Sequence, residues 1–273
     1  MTKESRNTLI WVFAALLVFS VHLFLHVSKN ASGSHNSSLS ILDSRLAAQT
    51  HSIHINSIET GEQITLVFRN KTWYIKHETG EWPVHKSRAE ALVSLMNIPL
   101  VIRTSGGNHR SEYTISLYDN TQTLLAHILV GGPDSLGRGR YIKTAQTEQW
   151  LHAIDFPPEI LRLTSTWWAD LEPWQDLFTR SPLVHISGLS GSDTEQTAIA
   201  EDTIRSLRVL DIAPYARLSD ISERITLVLG DTGTYTIGLG ISADEWIIGD
   251  IENNRFWFIS EWSRRRLLDA LGR

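Results

Sequence analysis

Val130–Thr144 reads VGGPDSLGRGRYIKT and is the stretch of the chain most like a phosphate cradle. Four glycines, a serine and the cations Arg138, Arg140 and Lys143 follow an apolar run. Gly132 and Gly137 have the glycine spacing of a Walker A loop, but Arg138 and Gly139 stand where that loop carries Lys and Ser/Thr. The strand-like RYIKT follows, in place of a helix whose N-terminus would meet the phosphates. The stretch is read as a connection between strands, with Pro133, Asp134 and the glycines as turn chemistry. Its cations Arg138 and Arg140 are expected to point outward as candidate contacts for a partner.

Other residues raise chemical readings that their surroundings weaken. Asp231-Thr232-Gly233-Thr234 has the core of an aspartic-protease signature, which needs a second carboxylate close enough to share a proton. The matching place in an internal repeat reads Tyr118-Asp119-Asn120-Thr121, so a hairpin turn is the simpler reading. Gly188–Asp193, GLSGSD, lacks the last glycine of a nucleophile elbow. His51 and His54 are three apart and would face opposite sides of a strand. No H-E-x-x-H or other ligand-spaced cluster occurs. No catalytic residue, cofactor or metal site is expected.

Composition narrows the class. The 273 residues carry a net charge of −5, which argues against a nucleic-acid partner. With no cysteine, disulfides, thiolate metal sites and thiol nucleophiles are excluded. The ten tryptophans are an unusual load of large, interface-prone side chains. Three of them fall in Thr166–Trp174, TWWADLEPW. Trp167, Trp168 and Trp174 either form a stacking platform for a sugar, peptide or partner, or lock two modules together. Locking is the favoured reading. Arg264, Arg265 and Arg266 lie on a short final helix with Leu267, Leu268 and Leu271 inward. They read as a solvated cationic face, with anionic headgroups or an acidic partner as the functional alternative.

Leu9–Val27, LIWVFAALLVFSVHLFLHV, is apolar except for Ser20, His22 and His26. At ~1.5 Å per residue it reaches roughly 28 Å, close to a bilayer core. Lys3 and Arg6 precede it, favouring a cytoplasmic N-terminus. A cleaved signal peptide is the competitor, but VSKNASGS offers a poor cleavage site. Residues 1–28 are therefore expected to be a cytoplasmic tip and uncleaved signal anchor in contact with membrane lipid through 9–27. Residues 29–50, rich in Ser, Asn and Gly at their start, are expected to be a tether.

Beyond it the pattern is α+β. SIHINSI alternates apolar and polar, and QITLVFRN and TWYIKH flank an Asn70-Lys71 turn. A helix follows, with Ser87 and Glu90 at capping-box spacing, an apolar face of Ala89, Leu92, Val93 and Met96, and Pro99 at its end. YTISLYDN and TLLAHILVGG form a second hairpin, RYIKTA and QWLHAI a third pair, and PPEILRLTSTWW a helix opened by Pro157 and Pro158. The order recurs. LMNIPLVIR (95–103) aligns with VLDIAPYAR (209–217), and EYTISLYDNTQTLLAHILVGG with ERITLVLGDTGTYTIGLGIS. GRYIKT aligns with DEWIIGD, and EQWLHAI with NRFWFIS, before the final helix EWSRRRLLDALG. A period of about a hundred residues in two copies implies a duplicated domain. The expected units are a first α+β module over 51–180 and a shorter one over 181–273, each an antiparallel sheet with short helices.

The W-x-I strand at Trp73 and Ile75, the helix after it, LVGGPDSLGRGRYIKT, QWLHAI and the Pro-led helix together resemble a bacterial family known as domain of unknown function 4340. Gly131, Gly132, Gly139, Tyr141 and Ile142 fit one of its strand pairs, and Trp150, Leu151 and Ile154 fit its next strand loosely. The resemblance covers about Ile53 to Asp176 and departs at TWWADLEPW, where the family often has a charged run. It implies a membrane-anchored companion of gliding-type or auxiliary-type ABC transporters and defines no catalytic residues. The expected function is thus a non-enzymatic binding or scaffold protein of the bacterial inner membrane, with its C-terminal domain outside the cytoplasm and an ABC permease or related subunit as partner. The alternative is a cell-envelope glycan- or peptide-binding module using exposed tryptophans. A protease using Asp231 is a distant third.

Overall fold

The computed structural model describes residues 37–39, 44–97, 100–104, 107–145, 147, 149–154, 156–187, 194–230 and 233–273. The apolar segment 9–27 lies outside them, as do Asp231, Thr232 and residues 188–193. No helix among the described residues is long and apolar enough to cross a membrane.

Alternation sets the strands. In β2 (Ser52–Ser57) Ile53 and Ile55 are fully buried, and in β3 (Gln63–Arg69) Ile64 and Leu66 fill the same core. Trp73 and Ile75 of β4 (Thr72–His77) pair with Phe68 and Leu66 across the hairpin. Its turn residues Asn70 and Lys71 both have positive φ, the backbone of a type I′ turn, which matches the twist of the strands. Strand β5 (Gly80–Pro83) adds beyond β4.

On the other side β2 pairs with β7 (Ser111–Tyr118), followed by β8 (Leu124–Pro133), β9 (Arg140–Thr144) and β10 (Leu151–Ala153). These eight strands form one antiparallel sheet. Two more, β6 (Leu100–Thr104) and β1 (Ser37–Leu39), extend it beyond β10 to ten. The stretch expected to be a tether thus contains β1 and a short helix, α1 (Ser44–Gln49). Both are held by pairing or packing that composition does not reveal, since β1 pairs with β6 and α1 lies against α2 (Lys86–Asn97).

A second antiparallel sheet has six strands. They are β11 (Leu183–Ser187), β12 (Asp211–Ile212), β13 (Ile221–Leu229), β14 (Gly233–Ser242), β15 (Glu245–Asp250) and β16 (Arg255–Phe258). Its spatial order is β12-β16-β15-β14-β13-β11, and the first sheet contains the run β6-β10-β9-β8-β7-β2. The chain visits corresponding strands of the two runs in the same sequence. Helix α2 leads into β6, and α5 (Thr194–Arg205), of equal length, leads into β12. The β3-β4-β5 meander has no counterpart in the second sheet.

Two helix expectations need correction. Helix α2 begins at Lys86, and the carbonyl of His85 accepts the N–H groups of Arg88 and Ala89. His85 therefore occupies the cap position, and Ser87 lies inside the helix with its hydroxyl on His85 Nδ1. The run 157–168 is not one helix. It makes a 3₁₀ turn at Pro158–Leu161, extends through Arg162 and Thr164, and forms a four-residue helix α3 (Ser165–Trp168). The break goes with one long-range and one local contact: the Ser165 and Thr166 hydroxyls donate to Asp211, and Trp168 Nε1 donates back to the Arg162 carbonyl at 2.6 Å.

Helix α4 (Leu177–Arg180) leads into β11, and α6 (Glu261–Ala270) closes the chain against α5. Ser260 caps α6, its hydroxyl accepting the Ser263 N–H at 3.0 Å. One buried apolar cluster runs from Ile53 and Leu66 of the first sheet through Trp168 and Trp174 to Ile225, Leu239 and Trp257 of the second.

Candidate functional site

An edge strand that ends a sheet invites pairing. Here β5 is the edge, and the second sheet covers it. Trp82 Nε1 donates to the Phe256 carbonyl at 2.9 Å, Arg255 Nε donates to the Glu81 carbonyl at 2.7 Å, and the Thr79 hydroxyl donates to the Pro214 carbonyl. The linker between the sheets completes the seam. Val84 bridges to Ala169, Asp170 N–H donates to Pro83 at 2.8 Å, and His85 N–H donates to Trp168 at 2.9 Å.

These contacts leave a groove of about 800 Å³ between the β3–β4 hairpin, the start of α2 and the linker. That volume suits a small ligand or a few side chains. Phe68, Trp73, Tyr74 and Val84 supply apolar and aromatic surface. Four carboxylates (Glu90, Asp170, Glu172, Asp176) and two ammonium groups (Lys71, Lys86) surround it. Burial pushes the Asp170 carboxyl above the usual carboxylate range, and Glu172 and Asp176 add to the shift. The Glu172 N–H donated to Asp170 Oδ1 at 3.0 Å and the neighbouring His85 oppose it. The arrangement can hold an extended segment by apolar contact and orient it by charge. No local motif marks these carboxylates, because the lining comes from two stretches about eighty residues apart in the chain, brought together by one tertiary seam.

The tryptophans sort by burial. Trp168 and Trp174 are each 1% exposed, so neither indole is a contact surface for a partner. Trp168 is fixed by its bond to Arg162. Trp174 Nε1 donates to the Tyr235 hydroxyl at 3.2 Å, and its ring lies 5.4 Å from Trp257 at 65°. Both join the linker to the cores of the sheets. Burial and the charge of Asp250 push the Tyr235 hydroxyl up, so it stays protonated as part of this contact. Trp167 is half-buried, with the Arg88 and Arg162 guanidiniums 4.4 and 4.1 Å from its ring centroid. Sequence reading passed over Trp262, which is 68% exposed on α6.

The glycine-rich loop holds its own anion. Asp134 Oδ1 accepts the Leu136 and Arg138 N–H groups at 3.0 and 2.9 Å, and Oδ2 meets His152 Nε2 at 3.0 Å. Donors that a phosphate would need are thus occupied by a carboxylate. Those bonds, led by the Arg138 N–H, hold Asp134 below its usual range. Gly137 supplies the positive φ of the turn. At Gly139 a Cβ would lie 2.4 Å from the Ala153 carbonyl, so that position admits no side chain. Arg138 is exposed, as expected. Arg140 is not outward: its side chain is 16% exposed, with Nη1 on Glu112 at 3.0 Å and on the Gly131 carbonyl at 2.9 Å. The opposite charge across the sheet draws it inward.

The other candidates are compensated locally. Arg264 lies 3.8 Å from the Trp246 ring centroid and 3.6 Å from Glu261, and Arg265 is 2.8 Å from the same carboxylate. Arg266 reaches Ser206 and Trp262. His51 bonds the Gln49 carbonyl and His54 packs on Tyr118. Comparison of the chain with protein-family models, with curated proteins and with solved structures finds no match.

Proposed function

We propose that this protein is a membrane-anchored, extracytoplasmic binding or scaffold module that seats a segment of a membrane-protein partner in the groove at the seam of its two sheets. The groove carries the reading: it combines ligand-sized volume, aromatic surface and a charged rim at a junction between structural units. The apolar Leu9–Val27 run supports the anchor, and the resemblance to domain of unknown function 4340 supports an ABC-transporter-like partner. The matching strand orders support descent of the two sheets from one duplicated module, with β3-β4-β5 added to the first copy. That addition supplies the hairpin wall of the groove, so the binding surface arises where the copies differ. The glycan reading loses weight, since two of its three platform tryptophans are buried.

The test is photo-crosslinking in native membranes. A photoreactive residue replacing Gln175, in the groove lining, is expected to capture permease or ATPase chains. The same residue replacing Arg224, exposed on β13, serves as the control. No captured chain, or equal capture from both positions, would overturn the proposal.

A further inference from the structure

Arg69, Arg140, Arg205, Arg264, Arg265 and Arg273 each pair with a glutamate, whereas Arg88, Arg162 and Arg208 take part in none of these pairs. Yet the fold brings Arg88 and Arg162 from separate elements onto one ring and ties the Arg208 segment to the same linker. Arg88 lies in the first turn of α2, Arg162 in the extended step before α3, and Arg208 between the buried Leu207 and Val209. Arg88 and Arg162 both stack on Trp167, which puts their charges within about 9 Å of each other, a separation comparable to the Debye length at physiological salt.

The stack is built, not incidental. Trp168, fully packed, fixes both partners of its neighbour. Its indole N–H holds the Arg162 carbonyl, and its own carbonyl holds the His85 N–H at the root of α2. Val209 N–H donates to the Leu171 carbonyl at 2.9 Å and so ties the Arg208 segment to the same linker. Burial first, then the charges of Arg162 and Arg208, lower the Arg88 guanidinium from its usual value, and Asp170 opposes them as the smallest influence. The nearby Asp211 carboxylate is taken by the Ser165 and Thr166 hydroxyls and the Ile212 N–H.

A guanidinium stacked on an aromatic face directs its N–H donors outward in the plane; Arg88 Nη1 reaches the Thr166 carbonyl at 3.5 Å, and its other donors lie in the plane where a planar or tetrahedral oxyanion would bind. Two such groups on one ring, with Arg208 on the segment that Val209 ties to the same linker, repel each other and become mutually favourable when a multiply charged anion sits among them. A carboxylate uses one fork and carries one charge. A phosphate carries more charge and offers three oxygens. We propose that Arg88 and Arg162, both on the Trp167 ring, together with Arg208 form a binding site for a phosphate group. The site is distinct from the groove and does not rest on the proposed partner there. It also differs from the glycine-rich loop, whose donors Asp134 already fills.

The phosphate can belong to a soluble anion or to a lipid headgroup, and two titrations separate these sources. The full chain in zwitterionic detergent is titrated by calorimetry with inorganic phosphate and with dioctanoyl phosphatidic acid. Dioctanoyl phosphatidylcholine and acetate serve as controls. At least one of the first two is expected to bind saturably with Kd below about 1 mM. The arm that responds more tightly names the source. Arg162→Gln and Arg208→Gln are each expected to weaken that binding about tenfold or more, the loss of one charge-assisted bond. Without ligand, Arg208→Gln is expected to melt at or above the wild-type temperature, because it removes a repelling charge; this separates lost binding from lost folding. The proposal is overturned if neither phosphate probe binds saturably, if acetate binds as tightly, or if both variants keep wild-type affinity.

Discussion

Asp119, Asp134 and Asp220 each close a loop with one carboxylate. Asp119 accepts the Thr121 and Thr123 N–H groups at 2.8 Å each, and Asp220 accepts the Arg217 N–H at 3.0 Å and the Ser242 hydroxyl at 2.8 Å. Asp134 does the same for the glycine-rich loop. Hydrogen bonds hold all three carboxyls below the usual range, led by the Thr121 hydroxyl, the Arg138 N–H and the Arg217 N–H respectively. A carboxyl with a depressed folded-state value stabilises the fold above its unfolded value of about 3.9 and loses that contribution as pH falls through the folded value. Asp134→Asn keeps the shape and removes the charge. Its melting temperature is expected to fall below wild type at pH 7, and the gap to close as both are acidified below about pH 4. Thermal unfolding followed by circular dichroism at pH 7, 5 and 3 checks this. A gap that stays constant across the series would show that the carboxylate charge contributes nothing there.

At the scale of the element, the β3–β4 hairpin offers a direct test of turn chemistry. Lys71 carries φ +66° in the second turn position, where an L side chain costs roughly 1–2 kcal/mol and glycine does not. Lys71→Gly is therefore expected to raise the melting temperature by about 2–4 °C for each kcal/mol relieved. No gain in a thermal melt would mean that Lys71 makes a compensating contact. That hairpin was legible in the sequence because its strands alternate about a two-residue turn and Asn70 tolerates positive φ. Strands β2, β7, β8 and β9 were legible for the same reason, with Ile53/Ile55 and Ile115/Leu117 marking the inner face. Strand β5 was not. It has four residues and a proline, and it exists as a strand because β4 and the second sheet flank it. Strand β12, two residues long, and the split of 157–168 also depend on partners far along the chain, β16 and Asp211 respectively. The candidate site was the least legible part. Trp167 was singled out, but Arg88, Arg162 and Arg208 are ordinary surface arginines until Trp168 and Leu171 place them. Trp168 and Trp174 could not be told from platform residues by type alone, since an indole serves packing and contact equally well.

Over the whole molecule, the two sheets raise the question of whether they unfold as one body. Interfaces between units of a chain are often small and polar, which favours separate transitions. This seam is different in kind. Trp82, Trp168, Trp174 and Trp257 are all buried in it or beside it, and one apolar cluster continues from sheet to sheet. The indole N–H groups of Trp82 and Trp174 are satisfied across it by Phe256 and Tyr235. Removing Trp174 therefore takes away a large buried side chain, an aromatic contact with Trp257 and the donor to the Tyr235 hydroxyl together. Trp174→Ala is expected to lose about 3–5 kcal/mol, and because that loss falls on the joint, the unfolding should separate into two calorimetric transitions where the wild type shows one. Trp174→Phe keeps most of the ring volume and loses the N–H bond, so its melt should stay single and shift by less. A wild type with two resolved transitions would mean that the shared core does not couple the sheets. The groove would then lie between independently stable units, and its shape would be free to change as one sheet moved against the other.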